Sequence, residues 1–146
     1  MRETMNRFGV VPAEVPVIRS LEGLAPKFRT QVAALMNHLA DNGFDPVIVE
    51  SLRSDERQRY LYRFGRDYDD GRGIVTNSPI GQTSWHFYGL AVDVISRVER
   101  WDAPDAFWSA LGVSANVHGL AWGGDWPTLA DKPHVQFGPP MFVNYG

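Results

Sequence analysis

Apolar residues recur along the chain with two different periods, and the longer one predicts three helices. Between Pro26 and Asn42 they recur every three or four positions, and Gly43 follows, which is typical of an amphipathic helix and its end. A second helix is predicted from Ser54 to Phe64, because Ser54 is a favourable N-cap and the first turn is acidic. A third is predicted from Pro104 to Leu111.

Shorter apolar runs predict three strands. They are the β-branched run Pro46–Ser51, the alternating stretch Gly89–Ser96 and the final stretch His134–Phe137. In the alternating stretch Asp93 faces away from the apolar side chains on either side of it. A long loop rich in glycine and polar residues, Gly65–Thr83, joins the second helix to the second strand. This order predicts an α+β fold, in which helices flank a small antiparallel sheet.

Composition narrows the classes of function. The 146 residues, 44% of them hydrophobic, predict one domain. The net charge of −3 and 14 scattered Lys and Arg residues give no reason to bind nucleic acid. Because the chain has no cysteine, any metal must be held by His, Asp, Glu or water. The first twenty residues lack the apolar core of a secretory signal, and no stretch approaches eighteen uninterrupted apolar residues, so we expect cytoplasmic synthesis without direct membrane insertion.

Four polar residues stand out by their settings: His86, Asp93, Asp131 and His134. A carboxylate inside an apolar strand is costly unless a cation or donors satisfy it. Two imidazoles and one carboxylate are a recurrent zinc donor set that leaves a position for the water of a hydrolase. Asp131 is then the candidate acid/base. Taken singly, a histidine is more often a structural residue and an aspartate more often a cap or an ion-pair partner.

Two further residues are candidates for substrate contact. Arg53 directly follows the first strand, where it could hold a substrate carboxylate through two hydrogen bonds. Trp126 follows the Gly-rich turn at Gly123 and could form a cleft wall. Their ordinary alternatives are a surface arginine and a core aromatic.

The string Ser84–Val94, SWHFYGLAVDV, carries a family motif. It resembles the Ser-x-His-x-x-Gly-x-Ala-x-Asp motif of the zinc D-alanyl-D-alanine carboxypeptidase and L-alanyl-D-glutamate endopeptidase family, which includes phage endolysins. The resemblance extends over Val47–Phe137, since three further strings agree in order: SLRSDERQRYLYRFGR (Ser51–Arg66), GIVTNSPIGQTS (Gly73–Ser84) and AWGGDWPTLADKPHVQF (Ala121–Phe137).

The resemblance implies a site and a fold. It implies a hedgehog/DD-peptidase-like domain in which Asp131 is the general acid/base and Arg53 holds a substrate carboxylate. Ser84 matches a serine that supports the site by hydrogen bonding. The implied zinc ligands are His86, Asp93 and His134.

The resemblance also implies a substrate. Carboxypeptidases of the family usually carry Glu three residues before the last ligand, whereas this chain has Asp131 and the string WGGDW, which is more similar to endopeptidase endolysins. These cut the L-Ala–D-Glu bond of peptidoglycan stem peptides. Because the chain ends nine residues beyond Phe137, we expect residues 1–146 to form one catalytic domain without a wall-binding domain. We expect a monomer that reaches the wall of a Gram-negative cell after a holin opens the membrane.

Three other functions compete with this one. The first is a D,D- or L,D-carboxypeptidase with the same metal chemistry. The second is a non-haem Fe(II) oxygenase, which is disfavoured because such sites commonly use His-x-Asp, whereas His86 and Asp93 are seven residues apart. The third is a zinc-stabilised binding module without catalysis, as in hedgehog domains.

Overall fold

A computed structural model describes residues 5–6 and 13–138. Three α-helices, six strands and three short 3₁₀ helices alternate along this part of the chain. The α-helices are α1 (Pro26–Asp41), α2 (Asp55–Tyr62) and α3 (Asp105–Val117). The strands are β1 (Met5–Asn6), β2 (Pro46–Glu50), β3 (Tyr68–Asp69), β4 (Ala91–Ser96), β5 (Ala121–Trp122) and β6 (His134–Gln136). The 3₁₀ helices are Gly81–Thr83, Trp85–Tyr88 and Gly123–Asp125.

Four of the strands form the main sheet, in the order β2-β4-β6-β5. Every neighbouring pair in it is antiparallel. The short strands β1 and β3 form a separate antiparallel pair. The predicted α+β fold with a small antiparallel sheet and flanking helices is therefore confirmed.

One face of the sheet packs against α1 and α3 to form the core. The periodic residues of α1, Phe28, Val32, Leu35 and Leu39, are buried, together with Val92, Val94 and Val135 of the sheet. Side chains alternate across a strand, so Asp93 and His134 face the opposite side. The core thus fixes the sheet that carries the polar residues.

The predicted helices are confirmed, and one is longer than expected. The Ser54 hydroxyl caps α2 by accepting a hydrogen bond from Arg57 N (3.0 Å). Helix α3 continues past Leu111 to Val117. Gly112 lies inside this helix and does not end it. A Cβ at Gly112 would collide with the ring of Trp122. The glycine serves close packing between α3 and β5.

The long segment 65–83 is mostly irregular, as predicted, although it also contains β3 and a 3₁₀ turn. Among the described helices, none combines the length and apolar character needed to cross a bilayer. Residues 1–4, 7–12 and 139–146 lie outside the described residues. The predictions about the first twenty residues and about the chain's end fall partly on them.

Candidate active site

Three neighbouring strands place a row of polar side chains on one face of the sheet. Asp93 in β4 lies directly opposite His134 in β6. On its other side Asp93 lies opposite Glu50, after a register shift between Ile48 and Glu50 in β2. Paired residues on adjacent strands are close enough for their side chains to interact. Sheet register thus brings together residues that are 43 and 41 positions apart in the sequence.

A short 3₁₀ turn before β4 supplies His86. The Ser84 hydroxyl begins this turn by accepting a hydrogen bond from His86 N (3.3 Å). The turn is tied to the end of β2 by a hydrogen bond from Arg53 N to His86 O (3.0 Å). Ser84 and His86 are both buried. Ser84 therefore lies beneath the site, where it fixes the backbone of the turn.

His86, Asp93 and His134 bring their donor atoms within 4.8 Å of one another. His86 Nε2 and His134 Nδ1 each lie 3.5 Å from Asp93 Oδ1. The other nitrogen of each ring is occupied: His86 Nδ1 is 2.9 Å from Ser51 O, and His134 Nε2 is 2.7 Å from Gln136 Oε1. Since those oxygens accept hydrogen bonds, the nitrogen that faces Asp93 carries the lone pair whenever the ring is neutral.

This donor set fits a divalent metal ion. His134 Nδ1 is buried and has no hydrogen-bond partner among the described residues. A buried polar atom without a partner is costly, and a cation would satisfy it. Neutral imidazoles held by outer hydrogen bonds, together with a carboxylate, are the usual ligands of such an ion.

The electrostatics of His86 and Asp93 also suit a cation. Burial lowers the pKa of His86, and the nearby charge of Arg53 lowers it further, which favours the neutral ring. Burial alone would raise the pKa of Asp93, but the two imidazoles outweigh it and hold this pKa well below its usual value. A neutral ring and an ionised carboxylate are the forms that bind metals. Burial lowers the pKa of His134, but its contacts with Asp93 and Asp131 outweigh burial and raise this pKa above its usual value, so the His134 ring must release a proton when a cation binds.

Asp131 lies beside the three donors without being one of them. Its Oδ2 is 3.9 Å from His134 Nδ1, and its side chain is 34% exposed. Gly123 O accepts a hydrogen bond from Asp131 N (2.9 Å), and a Cβ at Gly123 would collide with Asp131 O. Burial, and then the negative charge of Asp93, raise the pKa of Asp131 to about 6. A bound cation would lower it again.

Arg53 lies in a buried cluster that sequence reasoning did not foresee. It donates to both oxygens of Glu50 (3.0 and 3.1 Å) and to Gln58 Oε1 (2.8 Å). Its Nη2 is also 3.6 Å from Asp93 Oδ2. Arg57 donates to Glu50 as well (2.7 Å). Three of the five N–H groups of Arg53 are thus engaged within the protein, and its charge lies next to Asp93.

Trp126 lies behind His134. It is buried, and its ring centroid is 5.0 Å from that of His134. It lines a shallow depression together with Trp122 and Gly138. The Trp126 ring therefore packs against the His134 imidazole on the side that faces away from Asp93.

An open cavity of about 780 Å³ gives access to the polar row. His86, Asp93, His134 and Asp131 line it, and so does Arg53. The cavity thus joins five of the seven residues predicted from the sequence.

Gln136 and Glu50 are site residues that sequence reasoning missed. Gln136 follows His134 by two positions, so it lies on the same face of β6. Glu50 is the last residue of β2. A charged or amide group in a short apolar strand, on the same face as a predicted ligand, is the signal that could have found both.

Comparisons with known proteins agree with this geometry. Residues 78–137 match the model of an M15 peptidase family described as D-alanyl-D-alanine carboxypeptidase. The peptidoglycan L-alanyl-D-glutamate endopeptidase CwlK of Bacillus subtilis (strain 168) is 32% identical over 127 residues, covering 80% of this chain and 74% of that protein. The chain belongs to the M15 peptidase family. It is therefore a metallopeptidase, which confirms the predicted family and enzyme class.

Two other relatives are named as peptidases of the same L-Ala–D-Glu bond. The L-alanyl-D-glutamate peptidase of Listeria phage A118 is 27% identical over 126 residues, covering 82% of this M15 chain, which spans only 40% of the phage protein. The crystal structure of Serratia marcescens L-Ala D-Glu endopeptidase ChiX is 26% identical, with a TM-score of 0.54, and covers 83% of this chain and 87% of that one.

Proposed function

We propose that this M15 peptidase hydrolyses the L-Ala–D-Glu bond of peptidoglycan stem peptides, using zinc and Asp131. The observation that carries the proposal is the convergence of two imidazole nitrogens on Asp93 Oδ1, with Asp131 Oδ2 only 3.9 Å from His134 Nδ1. The names of three relatives, from two bacteria and a phage, support the choice of bond.

We propose zinc as the metal, held by His86 Nε2, Asp93 and His134 Nδ1. Two imidazoles and one carboxylate are a zinc donor set known from peptidases. When bound, the ion supplies the positive charge that makes water nucleophilic near pH 7 and polarises a peptide carbonyl. Arg53 would hold the second oxygen of Asp93 in place, because its Nη2 lies 3.6 Å from Asp93 Oδ2.

Asp131 is the proposed general base and then the general acid. It would take the proton of the attacking water and deliver it to the leaving amine of D-Glu. Such a group must lie close to the ligands without joining them, as Asp131 does. The hydrogen bond from Asp131 N to Gly123 O (2.9 Å) fixes the backbone from which the carboxyl reaches the cavity.

The second candidate is a carboxypeptidase, since the matching family model carries that description. Two features favour an endopeptidase. A second depression of about 640 Å³ lies beyond Asp131, so the cleft has room on both sides of that residue. In addition, Arg53, the predicted partner of a terminal carboxylate, already donates to Glu50 and Gln58. Contact between Arg53 and a substrate carboxylate therefore stays a prediction. It would have to use the N–H groups of Arg53 that do not bind Glu50 or Gln58.

Product analysis of defined muropeptides tests the proposal. Mass spectrometry should show a new D-Glu amino terminus after incubation with zinc-loaded protein and no product after chelation. Loss of only the terminal D-Ala would establish the carboxypeptidase. No cleavage of either bond, by protein shown to contain zinc, would favour the binding module.

We further propose that the protein acts on the bacterial cell wall as a monomer, after release through a holin-type pore. Purified protein should then lyse cells stripped of their outer membrane without a helper. A lytic activity that required a separate targeting protein would contradict this. Sedimentation at working concentration should give the mass of one chain, 16.4 kDa.

A further inference from the structure

The turn that follows β4, residues 97–101, forms a part of the cavity wall. The proposed mechanism assigns no role to its residues. Arg100 and Trp101 line the cavity that contains Asp131 and the three donors. The turn is well fixed: Arg100 N donates to Ser96 O (2.9 Å), and the Ser96 hydroxyl donates to Glu99 Oε1 (3.1 Å). A substrate would thus meet a rigid element there.

Arg100 has a backbone conformation that the turn imposes. Its φ is 58°, in the left-handed region that residues with a Cβ rarely adopt. Among the described non-glycine residues only Leu129, two positions before Asp131, shares a positive φ. Strained backbone of this kind is found preferentially where a side chain must be aimed at a ligand.

Arg100 is also a cation with no ion-pair partner among the described residues. Arg53 and Arg57 in the same cavity are paired with Glu50, and Arg72 is paired with Asp70. Within residues 13–138, in contrast, no hydrogen bond or ion pair engages the Arg100 guanidinium. An arginine with free N–H groups in a cleft is suited to bind a carboxylate through two parallel hydrogen bonds.

Trp101 is the most exposed tryptophan among the described residues, with 59% of its surface accessible. It lines both the main cavity and the depression beyond Asp131, so it stands between them. A rigid aromatic ring at such a ridge offers a large contact area at low conformational cost. It is placed to pack against a peptide that passes Asp131.

We propose that Arg100 and Trp101 form a substrate subsite, in which Arg100 binds the carboxylate next to the scissile bond and Trp101 packs against the peptide. This inference rests on the proposed function. In stem peptides D-Glu continues the chain through its γ-carboxyl, so its α-carboxylate is free beside the bond to L-Ala. That carboxylate is the group assigned to Arg100.

Two synthetic stem tripeptides test the assignment, one with the D-Glu α-carboxylate free and one with it amidated. Arg100→Gln should lower kcat/KM for the free-carboxylate peptide about tenfold to a hundredfold, the usual effect of losing a charge-assisted pair. For the amidated peptide the same change should cost less than about threefold. Equal losses for both peptides, or no loss, would overturn the assignment.

Arg97→Gln is the matched control. Arg97 lies on the same turn, is exposed, and pairs with Asp45 (3.1 Å) instead of lining the cavity. It should keep the kinetics of the wild type within about twofold, as exposed pairs contribute little. Trp101→Ala should raise KM for both peptides with little change in kcat. An unchanged KM would refute the packing role of Trp101.

A binding measurement separates this inference from the proposed function. Calorimetry with the free-carboxylate tripeptide compares Asp131→Asn with the double variant Asp131→Asn, Arg100→Gln. If wild-type protein cleaves neither peptide but binding still weakens tenfold or more in the double variant, the proposed function fails and the subsite stands. If wild type cleaves and the double variant binds as well as Asp131→Asn, the subsite fails and the function stands.

Discussion

Replacing Gln136 by methionine tests how far the residues behind the donors control metal binding. Gln136 Oε1 accepts the hydrogen bond from His134 Nε2 at 2.7 Å, and both side chains are buried. Methionine keeps a similar volume and removes the acceptor. The imidazole then either leaves Nε2–H unsatisfied, or moves its proton to Nδ1, the atom directed at Asp93. In both cases the metal-binding form becomes less favourable.

The magnitude follows from the burial of His134. An unsatisfied buried N–H costs about 1–3 kcal/mol, which corresponds to roughly fivefold to 150-fold in an equilibrium constant. Outer hydrogen-bond partners of metal ligands are generally worth about tenfold to a hundredfold in affinity. We therefore expect Gln136→Met to bind zinc about tenfold to a hundredfold more weakly than the wild type.

Competition with a chromogenic chelator at fixed pH and salt measures this affinity. Gln31→Met is the control, because Gln31 lies in α1 and its hydrogen bond to His118 O (3.1 Å) involves none of the three donors. It should bind zinc as the wild type does. A change below about threefold in folded Gln136→Met, or an equal loss in Gln31→Met, would refute the reasoning.

Three further predictions concern stability. Burial would raise the pKa of Glu50, but Arg53 and a second arginine hold it below 4.5, so its stabilisation is present above pH 4.5 and is lost as pH falls through the lower folded value. Glu50→Gln should thus lower the free energy of unfolding, measured with urea, by about 3 kcal/mol at pH 7 and by less at pH 3. An equal difference between wild type and variant at both pH values would contradict this. Gly112→Ala should cost about 1–3 kcal/mol by its collision with Trp122, whereas exposed Ser109→Ala should stay within about 0.5 kcal/mol; equal stabilities would show that the helix tolerates the clash. Chelation should lower the melting temperature, because an ion that binds only the folded state stabilises it; an unchanged value would argue against a bound metal.

Local patterns predicted most of the fold. The period of α1, the capping residue Ser54 and the alternation in β4 were each sufficient to place an element, because each depends on neighbours in sequence. The end of α3 was not predictable in this way. Gly112 resembles a stop signal until the packing of Trp122 against it is known.

The candidate site was predictable from its motif, but its supports were not. His86 and Asp93 lie in one motif, whereas the pairing of Asp93 with His134 and with Glu50 depends on sheet register. The pairing of Asp93 with Glu50 also depends on a register shift between Ile48 and Glu50 in β2, and nothing in the string PVIVE indicates that shift. The partner of Arg53 was unknown for the same reason.

Asp131→Asn provides the most direct test of the central claim that Asp131 works beside a metal held by three other residues. We expect the variant to retain one zinc per chain by elemental analysis and to lose at least about a hundredfold in kcat on a stem peptide. The exposed Asp125→Asn on the same segment should retain both zinc and activity. Activity that survives in Asp131→Asn, or zinc lost together with activity, would contradict the account.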